Sequence, residues 1–117
     1  MALRVYGIPT CSTVKKAKKW LEEQGLDYEW NNTRENAPDA ETLAGWVGTL
    51  GAKPFKNTSG GSYRALGPEK KEWSDEQWIA AFAEDAMLLK RPVLEKDGVA
   101  LTTGFKIPVW TELLLND

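Results

Sequence analysis

An apolar run that passes through a turn directly into an amphipathic helix is the feature that most constrains how this chain folds. Residues 3–6 predict a β-strand, which Gly7 ends. Apolar residues then recur at helical spacing over residues 12–24, and Gly25 is placed to end that helix. The predicted core face of the helix consists of Val14, Ala17, Trp20 and Leu21. The chain's one cysteine, Cys11, therefore falls where a strand gives way to a helix.

That position has a chemical consequence for Cys11. The first turn of a helix leaves backbone N–H groups without intrahelical partners, and the aligned peptide dipoles add about half a positive charge there. Both effects favour the thiolate, which is the nucleophilic form of cysteine. Ser12 and Thr13 bring hydroxyl groups near the sulfur as caps or donors, and Lys15 adds positive potential one turn later. Although free cysteines often act as small buried hydrophobes, this placement favours a reactive thiol.

The absence of histidine narrows how such a thiol can be activated. The sequence contains no histidine, which excludes histidine metal ligands and any cysteine–histidine or serine–histidine catalytic pair. Helix-end dipoles, hydroxyl groups and Lys or Arg side chains must therefore stabilise the thiolate. No metal site is expected.

Length, charge and cysteine count define a broad class. The 117 residues predict a single domain over residues 1–117. The net charge of −2 gives no field that would recruit nucleic acid, and no apolar run approaches the ~20 residues of a membrane span. There is no signal-peptide pattern, and a lone cysteine cannot form an internal disulfide, so we expect a cytoplasmic monomer whose thiol stays reduced.

The rest of the chain carries further strand and helix signals. Residues 26–30 alternate apolar with acidic side chains, as a half-buried strand does. Asp39 can cap a helix that runs to about residue 50, and Ser74 with Gln77 forms a capping box for another. Asp97-Gly98 predicts a hairpin turn between two strand-like runs. Also predicted are a polar loop over residues 31–38, a loop over 52–61, a short helical turn over 62–66 and a closing helix over 107–115 with Pro108 near its start.

The order of these elements predicts an α/β fold. Two parallel strands joined by a crossover helix, followed by an antiparallel hairpin and a last helix, form a small mixed sheet covered by helices. This is the thioredoxin-like plan, with a helical insertion at about residues 38–88 and a C-terminal β-hairpin and helix. Sites in open α/β sheets lie beyond the carboxyl ends of strands, which is where Cys11 falls. The aromatic residues predicted to face the core are Trp20, Trp46, Trp78 and Trp110.

Three segments in register resemble one known family. They are Tyr-Gly-Ile-Pro-Thr-Cys-Ser-Thr-Val-Lys-Lys-Ala at residues 6–17, the run from Asn57-Thr58 to Tyr63-Arg64-Ala65-Leu66, and Leu-Lys-Arg-Pro-Val-Leu at residues 89–94. These segments resemble the glutaredoxin-linked arsenate reductase family, which also includes the Spx-type transcription regulators. The resemblance spans nearly the whole chain. It is nearest to a subgroup of arsenate reductase-like proteins proposed to be glutathione-dependent thiol reductases.

The resemblance implies roles for individual residues. It places the family's nucleophile on Cys11 and an arginine of its oxyanion site on Arg91. The family's arginine immediately precedes a cis-proline, so we expect the bond between Arg91 and Pro92 to be cis.

The departures from the family pattern bear on the substrate. Further arginines that hold arsenate in the family's true arsenate reductases align with Asn57 and with the segment Gly104-Phe105, neither of which is arginine. Lys106 lies nearby but is not the matching residue and lacks the planar guanidinium fork. A multiply charged oxyanion needs several charge-assisted partners. The resemblance therefore implies thiol reduction ahead of arsenate reduction.

The function implied is that of a monothiol, glutathione-dependent thiol–disulfide reductase. Cys11 attacks a disulfide or a glutathione mixed disulfide on an oxidised small molecule or protein, and external glutathione or a glutaredoxin resolves the intermediate. Glutathione is thus expected as a co-substrate, with no tightly bound cofactor. Arsenate reduction and an Spx-like regulator that binds RNA polymerase remain as alternatives, although Val14 stands where the regulators carry the second cysteine of their Cys-x-x-Cys switch.

The candidate site has a catalytic pair and a binding wall. Cys11 and Arg91 are the expected catalytic residues. The residues expected to bind glutathione or substrate are Thr10, Ser12, Thr13, Lys15, Asn57, Thr58, Arg64 and Pro92. Main-chain groups beside Pro92 are expected to pair with the glutathione peptide as an added strand.

Overall fold

The strands of the computed structural model, which describes residues 2–115, form one mixed sheet. They are β1 (Leu3–Gly7), β2 (Tyr28–Asn32), β3 (Val93–Lys96) and β4 (Val99–Thr103). They lie in the order β2-β1-β3-β4, with β1 parallel to β2 and β3 antiparallel to both β1 and β4. Tyr6 near the end of β1 lies opposite Val93 at the start of β3. The segments that carry Cys11 and Arg91 therefore emerge at the same edge of the sheet.

Helices cover both faces of this sheet. They are α1 (Ser12–Glu23), α2 (Ala40–Leu50), α3 (Gly61–Ala65), α4 (Asp75–Glu84) and α5 (Ile107–Leu114), the last with Pro108 in its first turn, and 3-10 turns lie at Lys53–Phe55, Pro68–Glu72 and Ala86–Leu88. Helix α1 crosses between the two parallel strands, α2 to the last 3-10 turn make up the helical insertion, and α5 closes the chain. The thioredoxin-like plan predicted from the sequence is confirmed. Within residues 2–115, no helix is both long and apolar enough to cross a membrane.

Local capping and turn chemistry start these elements where the sequence predicts. Asp39 accepts a hydrogen bond of 2.8 Å from the backbone N–H of Thr42 and so caps α2. The Ser74 hydroxyl accepts from the Gln77 N–H at 3.3 Å, and the Gln77 side chain accepts from the Ser74 N–H at 2.8 Å, which completes the capping box of α4. The hairpin turn at Asp97-Gly98 has φ angles of 53° and 82°, as a tight turn matched to strand twist requires.

Strand β2 lies later in the chain than the sequence predicts, at Tyr28–Asn32 instead of residues 26–30. The backbone N–H of Leu26 donates to the Leu21 carbonyl at 3.0 Å, after Gly25 has taken a φ of 69°. Leu26 therefore belongs to the end of α1, where this bond satisfies a helix carbonyl. The later start lets β2 pair with β1 along its whole length.

Apolar side chains build one cluster on each face of the sheet. The face covered by α1 and α5 buries Leu3, Val5, Ala17, Trp20, Leu21, Leu94 and Trp110. The face covered by the insertion buries Tyr6, Leu43, Trp46, Val47, Ala52, Phe55, Trp78, Phe82, Leu88, Leu89, Val93 and Ala100. The four tryptophans predicted to face the core are buried, which confirms that prediction. Leu50 and Ile79 are half-buried and pack against the edge of the second cluster.

A buried carboxyl group joins the insertion to the sheet. Glu95 on β3 is only 6% exposed. It accepts a hydrogen bond from the Trp46 indole N–H at 2.6 Å and another from the Tyr6 hydroxyl at 3.2 Å. Two different layers of the protein thus satisfy one carboxyl group, which makes its burial tolerable.

Replacing Glu95 by alanine should destabilise the fold, because the Trp46 N–H and the Tyr6 hydroxyl would be left buried without acceptors. We expect Glu95→Ala to lower the free energy of unfolding by about 2–3 kcal/mol in urea titrations. Glu29→Ala is the matched control, since Glu29 is exposed and pairs with Arg4 at 2.5 Å. It should cost less than about 1 kcal/mol. Equal losses in the two variants would contradict the proposed role of the buried carboxyl group.

Candidate functional site

A close approach between β1 and α1 places Cys11 at the helix start. A side chain at Gly7 would put its Cβ 2.7 Å from Val14 Cγ2, so only glycine lets the first turn of α1 pack this near the strand. Cys11 is the N-cap residue, with extended backbone angles of φ −78° and ψ 122°. Its carbonyl accepts from the Lys15 N–H at 3.0 Å, which begins the helix. The thiol is half-buried and reaches a surface cavity.

The surroundings of Cys11 stabilise its ionised form. Burial by itself raises the pKa of the Cys11 thiol. The backbone N–H groups of Val14 and Thr13 and the Arg91 guanidinium act in the opposite direction and outweigh it, so the pKa of Cys11 lies below its ordinary value. These are the second and third residues after the cap, the positions whose N–H groups a capping side chain normally satisfies. The sulfur lies near these N–H groups and feels their field, although it makes no capping hydrogen bond in the structure.

Arg91 reaches this sulfur because the insertion pairs with the chain just before β3. The Asn57 N–H donates to the Leu88 carbonyl, and the Lys90 N–H donates to the Phe55 carbonyl, both at 2.8 Å. This short antiparallel contact leads the chain into the Arg91–Pro92 peptide bond, which is cis as predicted. Arg91 then lies close enough to Cys11 for its guanidinium to lower the pKa of the thiol.

A cavity of about 390 Å³ opens over the thiol. It is lined by Cys11, Thr13, Asn57, Ser59, Lys90, Arg91, Thr103, Gly104, Phe105 and Lys106. Three of these residues are cationic, and within the described chain no aspartate or glutamate lines the cavity. The site therefore presents a nucleophilic sulfur under a positive local field.

The guanidinium of Arg91 has donor groups that the protein does not use fully. One of its terminal nitrogens lies 3.8 Å from the Met87 sulfur, a weak acceptor. Its Nε is buried and has no hydrogen-bond partner among residues 2–115. A charged donor in that condition can serve an anion that enters beside Cys11.

The turn that forms the far side of the cavity is fastened to α5. The Trp110 indole N–H donates to the Gly104 carbonyl at 3.1 Å, and the rings of Phe105 and Trp110 meet edge to face with centroids 4.9 Å apart. These contacts hold the segment that brings Lys106 to the cavity. Lys106 itself is exposed, so its ammonium group can move to meet a ligand.

The structure brings some of the predicted binding residues into this cavity. Thr13 and Asn57 line it together with Cys11 and Arg91, the predicted catalytic residues. Thr10, Ser12 and Lys15 are exposed around the helix start but do not line it.

The other predicted binding residues lie elsewhere. Thr58 lines a neighbouring cavity, and Pro92 is buried at the head of β3. Arg64, which we expected in the far wall, donates from Nη1 to the Ser59 carbonyl at 2.6 Å and lies outside the lining. This bond holds the turn that contains Ser59, which lies two residues before the start of α3.

Six lining residues were not among the predicted site residues: Ser59, Lys90, Thr103, Gly104, Phe105 and Lys106. The sequence held two usable signals. Lys90 directly precedes Arg91, and Lys106 follows the segment in which an arginine was sought. Thr103 and Ser59 gave none, since both are ordinary loop-edge residues. Within residues 2–115, no group of three or more Cys, Asp or Glu side chains is placed to hold a metal ion.

The fold and the placement of its cysteine define a class: a thioredoxin-like α/β protein whose half-buried cysteine caps the helix after the first strand. Comparison with known proteins narrows this class. The chain belongs to the ArsC family, whose model matches residues 6–113.

Individual relatives agree with that assignment. The uncharacterized protein YusI of Bacillus subtilis is 41% identical over 110 residues, which cover 91% of this chain and 92% of YusI. The solved structure of the YFFB (PA3664) protein superposes with a TM-score of 0.87 at 31% identity, covering 96% of this chain and 98% of that one. A possible arsenate reductase from Streptococcus mutans UA159 superposes with a TM-score of 0.82 at 37% identity, covering 89% and 91%.

The pH dependence of Cys11 alkylation should report the groups that stabilise the thiolate. Because the pKa of Cys11 is lowered, the rate in wild-type protein should rise through a midpoint below about 8.5, the ordinary value for cysteine. Arg91→Gln should move the midpoint upward. The control Lys15→Gln should move it less, because Lys15 is exposed outside the cavity. A wild-type midpoint at or above the ordinary value would contradict the activation described.

Proposed function

We propose that this protein is a monothiol reductase that cleaves disulfides with glutathione as co-substrate. One observation carries the proposal. The pKa of Cys11 is lowered by helix amides and by Arg91, and the thiol opens into a cavity lined by cations and, within residues 2–115, by no acid. A thiolate that is partly exposed in a positive field is the arrangement that reacts with disulfides and attracts anionic thiols.

The reaction proceeds in two thiol–disulfide exchanges. The Cys11 thiolate attacks the glutathione sulfur of a mixed disulfide, a Cys11–glutathione disulfide forms, and the other half leaves as a thiolate. A second glutathione thiolate then attacks the glutathione sulfur of that intermediate, which releases glutathione disulfide and regenerates the Cys11 thiolate. Each cycle consumes one free glutathione, which leaves joined to the glutathione half of the substrate, and this external thiol is needed because the chain has no second cysteine.

Glutathione suits the cavity in charge and in size. It carries two carboxylates and one ammonium group at pH 7, and the cationic side chains of Lys90, Arg91 and Lys106 line the cavity. Asn57 and Ser59 add neutral donors and acceptors to the lining. A volume of about 390 Å³ lies in the usual range for small-ligand sites, about 300–1,000 Å³.

Arsenate reduction is the second candidate, and the buried Nε of Arg91 without a partner favours keeping it. The S. mutans neighbour is described as a possible arsenate reductase. Against this candidate, the cavity supplies a single guanidinium among its lining residues. Lysines are point charges and do not give the bidentate geometry that arginines offer to a tetrahedral oxyanion.

Wild-type protein incubated with glutathione disulfide should gain the mass of one glutathione at Cys11, and Cys11→Ser should gain none. In turnover, the mixed disulfide of glutathione and 2-mercaptoethanol should be reduced with NADPH consumption through glutathione reductase. Double-reciprocal plots should be parallel, since a covalent enzyme intermediate forms. Cys11→Ser should abolish this activity.

A parallel assay separates the two candidates. Arsenate replaces the mixed disulfide, and glutathione, glutaredoxin and glutathione reductase are all present. Arsenate-dependent NADPH consumption that is lost in Cys11→Ser, together with no reduction of the mixed disulfide, would replace our proposal by arsenate reduction.

A further inference from the structure

A second cavity, of about 530 Å³, adjoins the one over Cys11. We call it the side cavity. It is lined by Leu50, Lys53, Pro54, Lys56, Thr58, Lys90, Leu101, Thr102 and Thr103. Lys90 and Thr103 belong to both linings, so the two spaces meet at those side chains. The proposed reduction of a mixed disulfide leaves the side cavity without a function.

Charge is segregated around these two spaces. The side cavity has three lysines in its lining and, within residues 2–115, no aspartate or glutamate. Two other surface cavities mix both signs of charge: one is lined in part by Lys18, Glu22 and Asp27, the other in part by Arg4, Asp39, Glu41 and Glu95. The whole chain carries 17 acidic against 15 basic residues. An acid-free pair of adjoining cavities on an acidic protein concentrates positive potential where the disulfide would lie.

The position of the lysines is fixed by the backbone around them. The Thr103 hydroxyl donates to the Pro54 carbonyl at 2.5 Å, which ties β4 to the 3-10 turn that carries Lys53. The Lys90 N–H bond to Phe55 fastens the same turn from the other side. Lys53 and Lys90 are both exposed, whereas the ammonium group of Lys56 lies 4.5 Å from the Trp78 ring centroid in a cation–π contact. Lys53 and Lys90 are therefore the cations available to a ligand.

We infer that the side cavity binds the half of the disulfide that is not glutathione, and that this half is a small anionic thiol. The inference rests on the function proposed above, in which the cavity over Cys11 takes the glutathione half. When Cys11 attacks the glutathione sulfur, the sulfur–sulfur bond to the second half breaks, and that half departs as a thiolate with both bonding electrons. Lys90, which lines both cavities, faces the negative charge that develops on the departing sulfur.

The remaining lining describes the ligand further. Leu50, Pro54 and Leu101 provide an apolar wall, while Thr58 and Thr102 offer hydroxyl groups. A ligand that matches has a short apolar backbone and a carboxylate, sulfonate or phosphate group within reach of Lys53. Lys53 is then a specificity-determining residue that acts on binding of the second half.

The test compares three mixed disulfides of glutathione that differ in the charge of the second half: 2-mercaptoethanesulfonate, 2-mercaptoethanol and 2-mercaptoethylamine. Each kcat/KM is divided by the uncatalysed rate constant with free glutathione, which removes differences in leaving-group reactivity. Wild-type protein should prefer the sulfonate over the alcohol by about two- to fivefold, as one favourable exposed ion pair would give. The preference should weaken as salt is added.

Variants of Lys53 test whether this residue causes the preference for the sulfonate. Lys53→Gln should bring the ratio of sulfonate to alcohol close to one, and Lys53→Glu should shift the preference toward the amine. Lys71→Gln is the matched control, because Lys71 is also exposed and lies outside both cavities. It should leave the ratio unchanged.

The outcomes separate this inference from the function on which it rests. Reduction of all three disulfides at equal normalised rates, or a ratio that is the same in Lys53→Gln as in wild type, overturns the inference and leaves the reductase proposal standing. Reduction of none of the three by folded protein overturns both. A sulfonate preference that Lys53→Glu inverts supports both.

Discussion

The close packing of α1 against the end of β1 is the constraint on which the site depends. Any side chain at Gly7 would collide with Val14, so the helix start can come this near only because that position has no Cβ. Val14 is also one of the residues whose N–H group stabilises the Cys11 thiolate. Steric fit in the core and the electrostatics of the sulfur are therefore properties of one contact.

Elements set by neighbouring residues could be predicted from the sequence. The helix around Val14 and Trp20, the capping box at Ser74 and the hairpin at Asp97-Gly98 depend on local periodicity and turn chemistry, and the structure has each of them. The position of Cys11 at the helix start followed from the same patterns. The proximity of Arg91 to Cys11 did not, because it needs pairing between segments far apart in the chain, and only the resemblance to a family indicated it.

The remaining site residues depend on tertiary contacts that leave no local trace. Thr103 faces the cavity because its hydroxyl reaches the Pro54 carbonyl, and Lys90 does so because its N–H bonds to Phe55. Arg64 was predicted to contact a ligand and does not line the cavity. Its guanidinium donates a hydrogen bond to the nearby Ser59 carbonyl instead. The alternating pattern placed Leu26 in a strand, but its N–H instead bonds to the Leu21 carbonyl in the turn that ends α1.

The carboxyl group of Glu95 has a consequence for how this architecture can diverge. Aromatic packing alone would let α2 shift along the sheet. The hydrogen bonds from Trp46 and Tyr6 to the same Glu95 carboxyl group fix one position of the helix relative to the strands. Lys53 lies three residues beyond the end of α2, so its distance from the sulfur depends on where Glu95 holds that helix. Loops farther along the insertion, such as the one between α3 and α4, are free to change length across descendants without moving the lysine.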